Sequence, residues 1–240
     1  MDITSAYNQV PVREMDIQKT AFVTKHGLFE YLTMPFGLCN APATYQRLME
    51  LALSGLQWIT CLIYLDDVVV FGKNFEEQIV RLRQVLFRIR QSGLKLSPNK
   101  CCFLRRSVKF LGHIISADGV SPDPDNVKKL LEWPVPKTVT QVKGVLGLAS
   151  YYRKHVRNFS KRVDALVGLT KKDVPFEWTE RCQQQFEDLK AALTSTDVMA
   201  YPTSEDIFIL DTDASNGAIG AVLSQKQNGV EKVVAYGSRT

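Results

Sequence analysis

A chain of 240 residues that is 45% hydrophobic, 10% aromatic and 23% charged carries enough apolar material for one large domain or two modest ones. It shows no disorder-type composition, no Gly-X-Y repeat and no run of about 18 apolar residues, which excludes disordered, collagen-like and helical membrane-spanning classes. Thirty Lys and Arg against 25 Asp and Glu give +5, too small a surplus to name a polyanionic partner by itself. The distribution says more. Residues 128–172 hold eleven Lys or Arg against Glu132 and Asp164, a local +9, while the other 195 residues sum to −4. That asymmetry is expected of a polyanion-binding element, although a solvated helical face would carry the same charges. Cys39, Cys61, Cys101, Cys102 and Cys182 are odd in number, contain no CxxC pair and come after no basic-then-apolar leader. The expectation is a reducing, intracellular compartment without zinc.

In chain order, Pro42 at the start of Ala43–Leu53 and Gly55 beyond its end predict a helix. Cys61–Tyr64 and Val68–Phe71 are short apolar, β-branched runs around Leu65, Asp66 and Asp67, and read as a β-hairpin. Phe75, Ile79, Leu82, Leu86 and Ile89 recur at spacings of four and three, predicting a helix that Gly93 ends, with Arg81, Arg83, Arg88 and Arg90 off its apolar stripe. Val108–Ile115 reads as a strand. Pro122, Pro124, Pro134 and Pro136 punctuate residues 121–137, and a boundary is expected near residue 118. Thr140–Tyr152 and Thr179–Leu193 have helical patterns. Ile207–Leu210, Ala218–Leu223 and Val233–Tyr236 are strand-like, the opening of a further α/β domain. There is no internal repeat and no low-complexity tract.

The strongest chemical signal is Tyr64-Leu65-Asp66-Asp67. Adjacent carboxylates at a hairpin tip repel each other and give a core no benefit, so a cation is expected beside them; an exposed turn is the bland alternative. Mg²⁺ takes a few carboxylates together with water and substrate phosphates, and a pair of such ions activates an attacking oxygen while stabilising a leaving one. Met1-Asp2-Ile3 is β-capable and would bring Asp2 toward Asp66 if it lay beside the hairpin. Met34 to Pro42 is a Gly- and Pro-containing approach to a helix, suited either to capping it or to close backbone contact with a flat ligand.

Taken together these segments resemble the reverse transcriptases of Ty3/gypsy-type long-terminal-repeat retrotransposon Pol polyproteins. The resemblance is carried in order by Asp2–Tyr7, Met34–Pro42, Tyr64–Asp67, Val108–His113, Leu146–Arg153, Phe176–Thr179 and Thr212–Ser215. The Tyr-Leu-Asp-Asp box is the most specific of these and the Met-Pro-Phe-Gly-Leu box the next.

The resemblance implies an α+β fold. A polymerase palm spans 1–117, with an antiparallel sheet, helices and no fingers region; a helical thumb and connection spans 118–172; and 173–240 is the N-terminal part of a ribonuclease H-like α/β domain. It further implies that Asp2, Asp66 and Asp67 hold two catalytic Mg²⁺ ions, for which Mn²⁺ would substitute, and that Tyr7 lies beneath the sugar as a gate against ribonucleotides. Phe36 and Gly37 would contact the nucleotide and template, Phe36 standing where retroviral polymerases often carry Gln. Lys100 would protonate the departing pyrophosphate. Phe110, Leu111 and Gly112 would form the primer grip, although the same run alone reads as a core strand. Lys143, Arg153, Lys154 and Arg157 would track duplex phosphates, whose contacts are largely sequence-independent. Tyr151 and Tyr152 are expected in the core. Asp213 would be the first carboxylate of a ribonuclease H metal site whose other ligands come later, so no RNA hydrolysis is expected from this polypeptide alone. The implied partners are an RNA or DNA template with primer, deoxynucleoside triphosphates, and protease and integrase neighbours in a polyprotein, without a membrane.

The family places cationic triphosphate-binding residues before its first catalytic Asp. Here Met1 directly precedes Asp2, and its ammonium would compete with Mg²⁺. Three function classes are open: an RNA-directed DNA polymerase, a catalytically silent remnant that binds nucleic acid, and an unrelated two-carboxylate hydrolase, which would leave the basic segment and the adjacent acids unexplained.

Overall fold

The computed structural model describes residues 1–195, 198–215 and 217–239, and the chain packs as two compact units, Met1–Arg105 and Arg106–Thr240. Both mix helices and antiparallel strands.

In the first unit, short strands β1 (Phe22–Thr24) and β2 (Gly27–Phe29) form an exposed antiparallel pair. Helix α1 (Ala41–Ala52) carries Pro42 in its first turn and stops before Gly55, which takes a φ of 79°. The expected hairpin is present as β3 (Cys61–Tyr64) and β4 (Asp67–Val70), joined by Leu65 and Asp66. Helix α2 (Phe75–Gln91) starts where the Asn74 side chain accepts from the Glu77 N–H and ends ahead of Gly93. Ala41, Tyr45, Met49 and Leu53 recur every four residues on one face. They meet Cys61, Ile63 and Val68 from the inward side of the hairpin and Val85 and Ile89 from α2, together with Ile3 and Leu94. The α2 stripe differs at its start: Phe75 is exposed, and Val85, outside the predicted set, is buried. Arg88 is also more than a solvated charge, because its guanidinium donates to the Ala52 and Ser54 carbonyls at 3.1 and 2.8 Å and caps the C-terminus of α1.

In the second unit, Val108–Ile115 is no continuous strand. It is a hairpin, β5 (Ser107–Phe110) and β6 (His113–Ser116), folded at Leu111 and Gly112 and extended by β7 (Val120–Pro122). Short helix α3 (Pro124–Leu131) comes next, then α4 (Val139–Tyr151), capped by the Thr138 hydroxyl on the Gln141 N–H. Short turns α5 (Phe159–Arg162) and α6 (Asp164–Gly168) lead to α7 (Glu180–Thr194), capped by Thr179. Cys182, Phe186, Leu189 and Leu193 line one side of α7 and close a core with Leu130, Val142, Val145, Ala149, Tyr152, Val156, Phe159 and Leu166. Strands β8 (Phe208–Ala214), β9 (Ile219–Gln227) and β10 (Val230–Arg239) form an antiparallel meander in the order β8-β9-β10, with each strand longer than its apolar run. Among the described residues no helix is long and apolar enough to cross a membrane.

Candidate active site

The β3–β4 turn is built to display its acids. Leu65 takes the corner at a φ of 52°, and its N–H is held by the Gln46 side-chain oxygen of α1 at 2.7 Å. Asp66 is then the second corner residue and Asp67 the first residue of β4, paired across from Tyr64. Asp2 lies on the other edge of β4, where it forms an isolated antiparallel bridge with Asp67. The Val68 N–H donates to the Met1 carbonyl at 3.0 Å, and the Met1 ammonium donates to the Val68 carbonyl at 2.7 Å. The other side of the Asp2 segment is tied down by the Ser97 N–H on the Asp2 carbonyl at 3.0 Å and by the Thr4 N–H on the Lys95 carbonyl at 2.9 Å. Residues far apart in sequence thus meet along the hairpin edge.

The electrostatics result from that layout. Burial, then the Asp66 charge, and more weakly that of Asp2, push the Asp67 carboxyl above the ordinary range, while the Met1 ammonium pulls the other way. Lys100 holds its ammonium 3.8 Å from Asp2 Oδ1 with its side chain 70% exposed. Below the acids, Tyr45 is fully buried and its hydroxyl has no hydrogen-bond partner. Burial raises its phenol, and the charges of Asp66 and Asp2 add to the shift. Tyr7 stands edge-on to both Tyr45 and Phe36, with ring centroids 5.6 and 5.3 Å away. Phe36 is 74% exposed, and Gly37 holds a φ of 93° in open space, so conformation rather than crowding favours glycine there.

Hard carboxylate oxygens suit Mg²⁺. Among the described residues, however, no three His, Cys, Asp or Glu side chains stand close enough together to hold a metal ion by themselves. Asp2, Asp66 and Asp67, expected to hold two Mg²⁺ ions together, therefore do not form such a group in this structure. The mutual repulsion of these carboxylates fits a nearby cation. Asp213 sits exposed on β8 opposite Gly220 of β9.

In the second unit, Phe110 ends β5, and Leu111 and Gly112 turn at φ values of 47° and 69°. Lys143, Lys154 and Arg157 are exposed. Arg153 is engaged by the fold, since it donates to the Ser238 carbonyl at 2.5 Å and lies over the Phe159 ring at 5.6 Å. Sequence reading missed Tyr45 and Gln46; both lie one helical turn or so beyond the Gly-Pro approach to α1, where a buried Tyr and a Gln look like ordinary helix residues.

Two family models match the chain: "Reverse transcriptase (RNA-dependent DNA polymerase)" over residues 1–115, and "RNase H-like domain found in reverse transcriptase" over residues 178–240. Curated relatives include the retrovirus-related Pol polyproteins from transposons opus and 297 of Drosophila melanogaster. They are 39% and 40% identical over 100% and 94% of this chain, which covers 25% and 21% of their lengths. The transposon Tf2-3 polyprotein of Schizosaccharomyces pombe is 36% identical over 95% of the chain, which covers 17% of it. The chain thus spans about a quarter or less of these relatives. Among solved structures, a foamy viral protease-reverse transcriptase in complex with double-stranded DNA matches with a TM-score of 0.90 at 23% identity, over 100% of this chain and 42% of that one. A foamy viral protease-reverse transcriptase in complex with an RNA/DNA hybrid matches with a TM-score of 0.84 at 22% identity, over 99% and 32%. With the Tyr64–Asp67 turn and the Asp2 bridge inside the first matched segment, residues 1–115 belong to the reverse transcriptase family and residues 178–240 to the RNase H-like domain found in reverse transcriptases, in a chain whose relatives are Ty3/gypsy-like retrotransposon Pol polyproteins.

Proposed function

We propose that this chain is the polymerase portion of an RNA-directed DNA polymerase that adds deoxynucleotides to a primer 3′-hydroxyl on an RNA or DNA template. The supporting observation is the Asp2–Asp67 bridge beside the Asp66 corner, which puts three acids from two distant segments on one strand edge. In this reading Asp2, Asp66 and Asp67 hold two Mg²⁺ ions, with Mn²⁺ able to substitute. When bound, these would lower the pKa of the attacking hydroxyl and neutralise charge on the leaving pyrophosphate. Together the three acids would position the primer 3′-hydroxyl, the incoming nucleotide and the pyrophosphate through those ions. Tyr7, braced by Tyr45, lies under the sugar and excludes a 2′-hydroxyl. Phe36 and Gly37 line the nucleotide and template approach, and Lys100 supplies a proton to the departing pyrophosphate. Phe110, Leu111 and Gly112 contact the primer terminus, and the exposed Lys143, Lys154 and Arg157 track the duplex phosphates, joined by the N–H groups of Arg153 that its bond to Ser238 leaves over.

The same reading assigns 1–117 to the palm, 118–172 to the thumb and connection, and 173–240 to the ribonuclease H-like part, with Asp213 as one carboxylate of its metal site. It also places protease and integrase as polyprotein neighbours in an intracellular setting. A primer annealed to an RNA template should be extended by this chain only with Mg²⁺ or Mn²⁺ present, and Asp66→Asn should lower that extension by roughly a thousandfold or more. The exposed basic residues also support a second reading, a silent nucleic-acid binder, which salt-sensitive duplex binding without extension would select.

A further inference from the structure

The turn between β5 and β6 is fastened from outside its own hairpin. The Leu111 carbonyl accepts from the Tyr151 hydroxyl at 2.5 Å and lies 2.9 Å from His113 Nδ1. The Gly112 carbonyl accepts from the Tyr152 hydroxyl at 2.7 Å and from the Asp123 N–H at 3.0 Å. Asn126 of α3 donates in turn to the Tyr152 hydroxyl at 3.1 Å. Corner carbonyls of a two-residue hairpin turn ordinarily face water. Here consecutive phenols from a segment forty residues later take both.

The end of α4 makes that reach possible. Neighbouring side chains on a continuing helix diverge by about 100°, but Tyr151 is the last residue of α4 and Tyr152 has left helical geometry at a φ of −99°. Their rings meet edge-on with centroids 5.0 Å apart. Tyr152 is 1% exposed and anchored in the core, whereas Tyr151 is about half exposed. A side chain on Gly112 would put its Cβ 3.1 Å from the Tyr152 hydroxyl, 3.2 Å from Asn126 Nδ2 and 3.3 Å from Tyr151 Cε1. The backbone there has no slack in conformation or in space.

We propose that Tyr151 and Tyr152 are positioning residues that lock the Leu111–Gly112 turn into a pre-formed contact for a primer 3′ terminus. Tyr152 is the buried anchor and Tyr151 the exposed latch. The proposal rests on the reading of this turn as the primer-contacting element. A turn already fixed by its own side chains loses little conformational freedom when it engages a strand end, so its contacts appear more fully as affinity.

The test compares the affinity of the 240-residue chain for an RNA/DNA duplex with a recessed primer 3′ end and for a blunt duplex of equal length. The wild-type chain should prefer the recessed end. The double variant Tyr151→Phe, Tyr152→Phe keeps both rings and removes both phenol–carbonyl bonds. It should reduce that preference by about two- to tenfold with blunt-duplex affinity unchanged, and Gly112→Val should reduce it too. A merely structural role would weaken both duplexes alike and leave the ratio intact. If Gly112→Val removes the preference while the double variant keeps it, the tyrosine proposal is overturned and the reading of the turn stands. If the wild-type chain has no preference, or Gly112→Val keeps it, the reading of the turn falls and the proposal falls with it.

Discussion

Two tight turns in this molecule solve the same backbone problem in opposite ways. Both put a leucine at positive φ, Leu65 at 52° and Leu111 at 47°. The first continues from its leucine into Asp66 and Asp67 and is steadied from outside by Gln46 on the Leu65 N–H. The second continues into Gly112, and both of its carbonyls are taken by tyrosines. The first turn therefore spends its side chains on unbalanced negative charge and leaves that charge accessible. The second carries no charge at the corner, and its shape is fixed by the core beneath it. Under the proposed reading, a corner that receives a cation stays electrostatically unsatisfied, whereas one that presents a shape is satisfied in advance.

Acid should separate the two units most strongly. His155 is buried beside His113, with ring centroids 5.5 Å apart, and its Nδ1 has no hydrogen-bond partner. Burial, then the charges of His113 and Lys154, lowers its pKa to about 4. Above pH ~6.5 the ring is neutral whether the chain is folded or not. Below that the unfolded chain takes up a proton that the folded chain refuses until about pH 4. Stability should fall across this window by about 2–3 kcal/mol. Urea midpoints at pH 7 and 4.5 would show it, and His155→Leu should flatten that slope.

The next effect is steric. Gly112→Ala places a Cβ against three tight neighbours at a φ of 69°, and should cost about 1–2 kcal/mol by thermal or urea unfolding. No loss would mean the second turn is looser than its contacts imply. The smallest effect belongs to the first turn. Gln46→Leu leaves the Leu65 N–H without its acceptor and should cost about 1 kcal/mol. A cost well beyond that would erase the contrast, because the acidic corner would then be as tightly held as the glycine one.

Much of the frame was legible in the residues. Pro42 and Gly55 bracket α1 and Gly93 lies just past α2, because helix starts and breaks are local chemistry written in single residues, whereas the Thr138 and Thr179 caps of α4 and α7 were not read. The hairpin was legible in its two apolar, β-branched runs, although the second strand was read as Val68–Phe71 and runs Asp67–Val70, which takes Asp67 out of the turn. The Leu111–Gly112 fold was hidden in an apolar run, since leucine gives no signal of positive φ and only the glycine after it does. Partners chosen by tertiary packing were hidden altogether. Arg88 could be read only as lying off the apolar stripe of α2, and not as the donor to the Ala52 and Ser54 carbonyls, and Tyr151 and Tyr152 read as core aromatics, with no sign that their hydroxyls meet a turn. The approach of Asp2 to the hairpin was readable, whereas the lack of a common three-carboxylate group was not, because carboxylate convergence depends on side-chain directions that spacing does not specify.

The cysteines give the first unit a built-in means of observation. Cys61 is sealed in the core, where burial raises its thiol to about 11, while Cys39 stands exposed two residues beyond Gly37. A maleimide dye would therefore attach at Cys39 and pass over Cys61, which puts a fluorescent reporter on the very loop proposed to greet an incoming nucleotide. With half-buried Cys101 and exposed Cys102 changed to serine to leave that position alone in this unit, occupancy could be tracked by emission in real time, without any dependence on turnover.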